Sequence, residues 1–122
     1  MLSHVSLGVQ DLGKAAEFYD AVLGALGYVR LWTGGDGLGY GPPGGGEKLN
    51  LFLQSDARPP GPGFHLAFTA FAPADVDLFY AAALAKGGID LGSPGPRPHY
   101  GAGYYAAFVG DPDGHKLEAV YQ

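Results

Sequence analysis

The chain has 122 residues, of which 22 are glycine and 10 are proline, yet 47% is hydrophobic and 13% aromatic. The glycines and prolines fall between apolar runs without a period, which excludes disorder and a collagen-like repeat and leaves one domain, 1–122, with a packed core. Seven basic and twelve acidic side chains give a net charge of -5 with no basic cluster, so nucleic acid and anionic membrane are poor partners.

Taken in chain order, residues 4–9 alternate Val5, Leu7 and Val9 with His4, Ser6 and Gly8, the period of a half-buried strand. Ala15, Phe18, Tyr19, Val22, Leu23 and Leu26 then recur at helical spacing, with Asp11 as N-cap and Gly27 as the stop. Short strands follow at 28–33, 37–41 and 47–53. Residues 65–70 again read as a strand, and Val76, Phe79, Tyr80, Ala83, Leu84 and Gly87 as a helix with Pro73 in its first turn. Strands at 89–91, 104–109 and 115–121 close the chain. The order is βαβββ, twice, an α+β arrangement. Aligned without a gap, His4 falls on His65, Phe18-Tyr19 on Phe79-Tyr80, Leu23 on Leu84 and Gly27 on Gly88. The offset is 61 residues, half of 122. The expectation is an internal duplication, with modules at about 1–56 and 62–122. Near the end of each module, Lys48-Leu49-Asn50-Leu51 resembles Lys116-Leu117-Glu118-Ala119, which pairs Asn50 with Glu118.

Strand parity sorts the polar residues. If Val5, Leu7, Val9, Leu117, Ala119 and Tyr121 cover the helices, then His4, His65 and Glu118 share the opposite face. Two imidazoles and a carboxylate on neighbouring strands suit one divalent ion with open positions, and with no cysteine in the chain any such ion is held by N and O donors. Fe, Mn, Zn and Ni all suit the set. His115 has core parity and reads as structural. If the turn Asp111-Pro112-Asp113-Gly114 is the whole hairpin loop, Ala107 lies opposite Glu118, and Tyr105 faces the cavity as a phenolic donor. His99 and Tyr100, in the Gly/Pro-rich segment, are further acid/base or binding candidates. Arg30 and Trp32 alternate with Val29, Leu31 and Thr33, which gives them one face, either toward the cavity as substrate contacts or as an exposed Arg and a half-buried Trp.

The segments HVSLGVQDLGKAAEFYDAVLGALGY, HLAFTA with its following helix, and YYAAFVGDPDGHKLEAVY resemble the vicinal oxygen chelate superfamily of glyoxalase I, bleomycin resistance proteins and extradiol dioxygenases. The resemblance implies two βαβββ modules forming an eight-stranded, U-shaped mixed sheet around one divalent metal, with His4, Asn50, His65 and Glu118 at the ligand positions. Asn50 departs from the glyoxalase pattern, because an amide cannot shuttle a proton near neutral pH, and is expected instead to hydrogen-bond substrate. The expected function is metal-dependent glyoxalase-, lyase- or dioxygenase-type chemistry on a small molecule with vicinal oxygens. The competing expectation is a metal-free binding or resistance protein that sequesters an aromatic compound in a groove of Trp32, Tyr40 and Tyr105. Relatives in the superfamily imply a homodimer, with modules paired within one chain or swapped between two. The N-terminal stretch has no basic segment leading into an apolar run, so the expected location is the cytoplasm.

Overall fold

Alternation of two residues, then helical periodicity, then three short strands recur in the structure, a computed structural model that describes residues 1–122. The first module runs β1 (Val5–Val9), α1 (Leu12–Ala25), β2 (Val29–Thr33), β3 (Gly37–Gly41) and β4 (Leu49–Leu53). The second runs β5 (Leu66–Thr69), α2 (Pro73–Ala85), β6 (Ile89–Pro96), β7 (Tyr105–Gly110) and β8 (Lys116–Tyr121). No helix is long and apolar enough to cross a membrane.

Asp11 caps α1, its Oδ1 accepting the Lys14 N–H at 3.0 Å. Both helices end in a left-handed glycine, Gly27 at φ 87° and Gly87 at φ 92°. The next N–H, of Tyr28 or Gly88, returns to the carbonyl of Leu23 or Ala83. The counterpart of Gly27 is thus Gly87 rather than Gly88. Within the helices the offset of 61 holds, buried Ala15, Phe18 and Val22 matching buried Val76, Phe79 and Ala83, and the slip of one residue is confined to the helix end.

The strands form two four-stranded sheets, ordered β1-β4-β3-β2 and β5-β8-β7-β6. In each, the first strand lies parallel to the last, with Ser6 beside Asn50 and Ala67 beside Glu118. Asn50 and Glu118 therefore hold equivalent places, as the sequence pattern requires. Each helix packs on its own sheet, α1 packs on α2, and a cluster of 20 buried apolar residues draws on both modules. The apolar set of each sheet is spent on the helix side, which leaves the other face open.

Two irregularities decide which residues reach that face. In β2, the pairs Arg30 with Tyr40 and Trp32 with Gly39 enclose a bulge at Leu31, so Arg30 and Trp32 point to opposite sides. Trp32 takes the open face. Arg30 turns to the helix, with Nη2 2.5 Å from Asp20 Oδ2 in α1, and does not approach the open face as expected. In the second sheet, Gly110 pairs with Lys116 and Phe108 with Glu118. The connection holds five residues instead of four, because Asp111 Oδ1 accepts the N–H groups of both Asp113 and His115, at 2.9 and 2.8 Å. One residue of register exchanges the faces. Tyr105 consequently lies on the helix side, donating to Asp77 Oδ1 of α2 at 2.7 Å, and is not the cavity phenol.

Asp111 also joins the modules. Its Oδ2 accepts the Tyr19 hydroxyl of α1 at 2.6 Å and meets His115 Nδ1 at 2.8 Å, all three residues being buried. Burial alone pushes the His115 imidazole down, but the hydrogen bond and charge of Asp111, with Asp113 behind it, outweigh this and raise its pKa. Burial, then the charge of Asp111, holds the Tyr19 phenol well above its ordinary value. His115 thus contributes stability as a cation. That contribution is complete below the imidazole's unfolded value of about 6.5 and disappears as pH rises through the higher folded value. Thermal unfolding of the wild type should lose its advantage over His115→Gln as pH is raised from about 6.5, and parallel profiles would contradict this. Tyr19→Phe should lower stability by about 1.5–3 kcal/mol in urea unfolding, the contribution of a buried hydrogen bond to a charged group.

Candidate functional site

Glu118 is the buried carboxylate of the second sheet's open face. It is 2% exposed and lies between Ala67 on β5 and Phe108 on β7. Both of its oxygens have partners. Oε1 is 3.0 Å from His65 Nε2, and Oε2 accepts the Tyr104 hydroxyl at 2.5 Å. Tyr104 immediately precedes β7 and shares the parity of Ala106 and Phe108, which carries it to this face. Burial, followed by the hydrogen bond and charge of Glu118, pushes the Tyr104 phenol up to about 12. It is therefore a neutral O–H donor throughout the physiological range. The His65 side chain is 43% exposed, so the cluster has a buried acid and an accessible base.

The cluster borders a cavity of about 610 Å³, lined also by Tyr100, Phe108, Arg97 and Lys116. The Phe108 ring lies between β6 and β8: Gly92 leaves room for it on one side, and the His65 ring packs edge-on at 5.8 Å. Tyr100 is on the cavity wall as expected. The His99 ring lies 4.1 Å from the Tyr100 ring, tilted 42° to it, and does not line the cavity.

The first sheet carries a different arrangement at the equivalent place. Asn50 is buried, and its Oδ1 accepts the Trp32 indole N–H at 3.0 Å. An indole nitrogen only donates, so the amide oxygen is the atom turned to Trp32 and the amide NH₂ is left to donate elsewhere. Gly37 and Gly39 on β3 make this possible, since a Cβ at either position would run into the indole. Phe52 flanks the indole at 6.0 Å. Asn50 is thus positioned as a hydrogen-bond donor with its best ligating atom already engaged.

His65 and Glu118 are brought together, but His4 is not with them. It is exposed at the start of β1, its Nδ1 3.0 Å from Ser3 Oγ. No set of three His, Asp or Glu donors able to hold a metal gathers within one chain. The donor chemistry of His65 and Glu118 suits a divalent ion that prefers N and O, but two donors from one protomer leave the expected triad incomplete. His115 is structural, as its parity indicates. Sequence reasoning missed Tyr104 and Phe108. The signal was Asp111, whose side chain can close a five-residue loop and thereby move the register by one.

Two mixed sheets, each crossed by one helix, with a buried polar residue within the last strand of each module, define the paired βαβββ architecture. The sequence profile of the Glyoxalase/Bleomycin resistance protein/Dioxygenase superfamily matches residues 1–119, and the chain belongs to that superfamily. A glyoxalase/bleomycin resistance protein from Albidiferax ferrireducens T118 is similar over 100% of this chain and 98% of its own, at 35% identity and a TM-score of 0.86. A glyoxalase-related enzyme from Fulvimarina pelagi shares 23% identity over 100% of this chain and 88% of its own, TM-score 0.77. The fosfomycin resistance protein FosX from Listeria monocytogenes shares 19% over 98% and 91%, TM-score 0.71. The last two show the fold alone. No curated protein matches the chain significantly.

The Tyr104–Glu118 bond has a spectroscopic consequence. With ¹³C-labelled tyrosine, one ring signal, absent in Tyr104→Phe, should titrate at about 12. In Glu118→Gln it should move toward the ordinary tyrosine value of about 10. An unchanged titration in Glu118→Gln would break the assignment.

Proposed function

We propose that the protein is a divalent-metal-dependent enzyme acting on a small molecule with two adjacent oxygens, and that its metal site is completed between two copies. His65 and Glu118 come from one protomer and His4 from a second. The observation that carries the reading is the pairing of His65 with Glu118, 3.0 Å apart, on an open sheet face beside a cavity of about 610 Å³. A buried carboxylate has a high desolvation cost and persists only where partners offset it. Here the partners are a fixed phenol and an accessible imidazole. The two sheets of one chain share no strand pairing, and the chain's internal packing runs through α1 and α2, so both open faces are free to meet the complementary faces of another copy. Membership of a superfamily that includes glyoxalases and dioxygenases supports the same reading.

When bound, the ion supplies Lewis-acid stabilisation for negative charge developing on the substrate oxygens. The remaining work belongs to this chain. Tyr104 holds one oxygen of Glu118 and fixes the carboxylate's orientation, leaving the other oxygen to act with His65. Asn50, with its oxygen tied to Trp32, donates an N–H to a substrate oxygen. Tyr100 is a binding contact at the cavity wall.

A metal-free binding role draws on one observation, the Trp32 and Phe52 rings beside Asn50 on the open face of the first sheet. Flat aromatic surface of this kind suits a planar ligand. The two readings separate on metal content. Protein purified anaerobically without a metal-affinity tag should carry Fe, Mn, Zn or Ni near one per chain by elemental mass spectrometry, and His65→Ala and Glu118→Ala should each lose it. Absence of metal, with no uptake of any of the four ions when offered, would overturn the enzyme reading. Chelator-insensitive binding of an aromatic ligand would then favour the second.

A further inference from the structure

Because α1 and α2 hold equivalent places in the two modules and their buried residues match at one offset, their outer faces can be compared position by position. On α1 the residues turned away from the core are Gly13, Glu17, Asp20 and Gly24, all exposed. Two carboxylates and two small residues suit contact with water. On α2 the same four positions hold Ala74, Leu78, Ala81 and Ala85, again all exposed. Leu78 is 57% exposed, and Leu84, on one flank of this face, is 42% exposed. A surface helix keeps its apolar residues on the core side and polar residues opposite, whereas a helix apolar on both sides belongs in an interior. The first helix follows the surface pattern and the second the interior one.

Charge identifies what covers the outer face of α2. On the flank away from Leu84, the helix carries Asp75 in its first turn and Lys86 at its C-cap, three turns apart and therefore on the same side. Neither is ion-paired within the chain. A helix with an acid at one end and a base at the other on one flank is complementary to itself turned end over end. A two-fold axis across α2 brings Asp75 of each copy beside Lys86 of the other, Leu78 against Ala81, and Ala74 against Ala85. Small side chains at three of the four central positions let two such helices approach closely, with the leucines filling the space between them.

We infer that the outer face of α2 is a contact surface for a second copy of this chain, packed antiparallel, helix on helix. The contact is isologous and closes on itself, so it adds one copy and does not propagate into a filament. It is independent of the metal reading, because the helices and the open faces lie on opposite sides of the sheets. Where both contacts form, the assembly is a tetramer.

The test is sedimentation velocity of the full chain over a concentration series, with far-UV circular dichroism to confirm that each variant is folded. Leu78→Glu combined with Ala81→Asp gives α2 the two charges that α1 carries at Glu17 and Asp20, a pattern this fold already accommodates. The wild type should have twice the mass of this variant, with self-association weakened about 100-fold or more, since a two-fold contact carries each buried charge twice. The halving is expected whether or not the open faces also associate. Lys86→Glu alone, which leaves the apolar face intact, should weaken association, and adding Asp75→Lys should restore it. Rescue by charge exchange is not expected of a mere folding defect. Equal masses for the wild type and the folded Leu78→Glu/Ala81→Asp variant would leave this face to a different partner and overturn the proposal. Failure of Asp75→Lys to rescue Lys86→Glu would overturn it as well, because the antiparallel pairing would be absent.

Discussion

The buried carboxylate of Asp111 governs which side chains can meet Glu118. One oxygen receives two backbone N–H groups and so sets the length of the loop between β7 and β8. The other receives the Tyr19 hydroxyl and the His115 imidazole, fastening that loop to the helix of the first module. Because side chains alternate strictly along a strand, a loop longer by one residue exchanges the two faces of β7. The phenol that meets Glu118 is Tyr104, and Tyr105 is carried to α2.

The two open faces use the same geometry for different chemistry. In the first sheet, glycine on β3 faces tryptophan on β2, and the indole lies across the sheet to hold Asn50. In the second, phenylalanine on β7 faces glycine on β6, and the ring lies toward Glu118 and His65. On each face an aromatic side chain lies opposite a glycine across the outer strand pair, with the strands exchanged. The first face supplies a neutral donor and aromatic surface. The second supplies a carboxylate, an imidazole, a phenol held neutral and two cations. Neither contains a full set of metal donors within one chain.

Much of this was legible in the sequence, and what was not has a physical cause. The alternation of Val5, Leu7 and Val9, the helical spacing from Ala15 to Leu26, and the parity of Leu117 and Ala119 are local properties of strand and helix, so the two βαβββ units could be read directly. The equivalence of Asn50 and Glu118 and the meeting of His65 with Glu118 followed from parity on strands without bulges. Arg30 and Tyr105 were misplaced because register is a property of two strands. The bulge at Leu31 and the five-residue loop closed by Asp111 each shift it by one. The segment from Ser93 to Pro96 reads as loop from its prolines but continues β6, which proline tolerates at a sheet edge. His4, the third expected ligand, does not join His65 and Glu118 within the chain, because parity says which face of its own sheet a residue occupies and nothing about whether the faces of two sheets meet.

The central claim is that His65 and Glu118 of one copy share a metal with His4 of another. Its most direct test is subunit complementation, in which His4→Ala and Glu118→Ala proteins, each unable to hold metal alone, are unfolded together, refolded and measured for bound metal. In a mixed dimer, one site combines His4 from the Glu118→Ala chain with His65 and Glu118 from the His4→Ala chain and is intact. Metal should therefore reappear in the mixture and in neither parent. If the mixture stays as empty as its parents while wild type refolded in parallel regains its metal, the site is not shared between copies and the account is wrong.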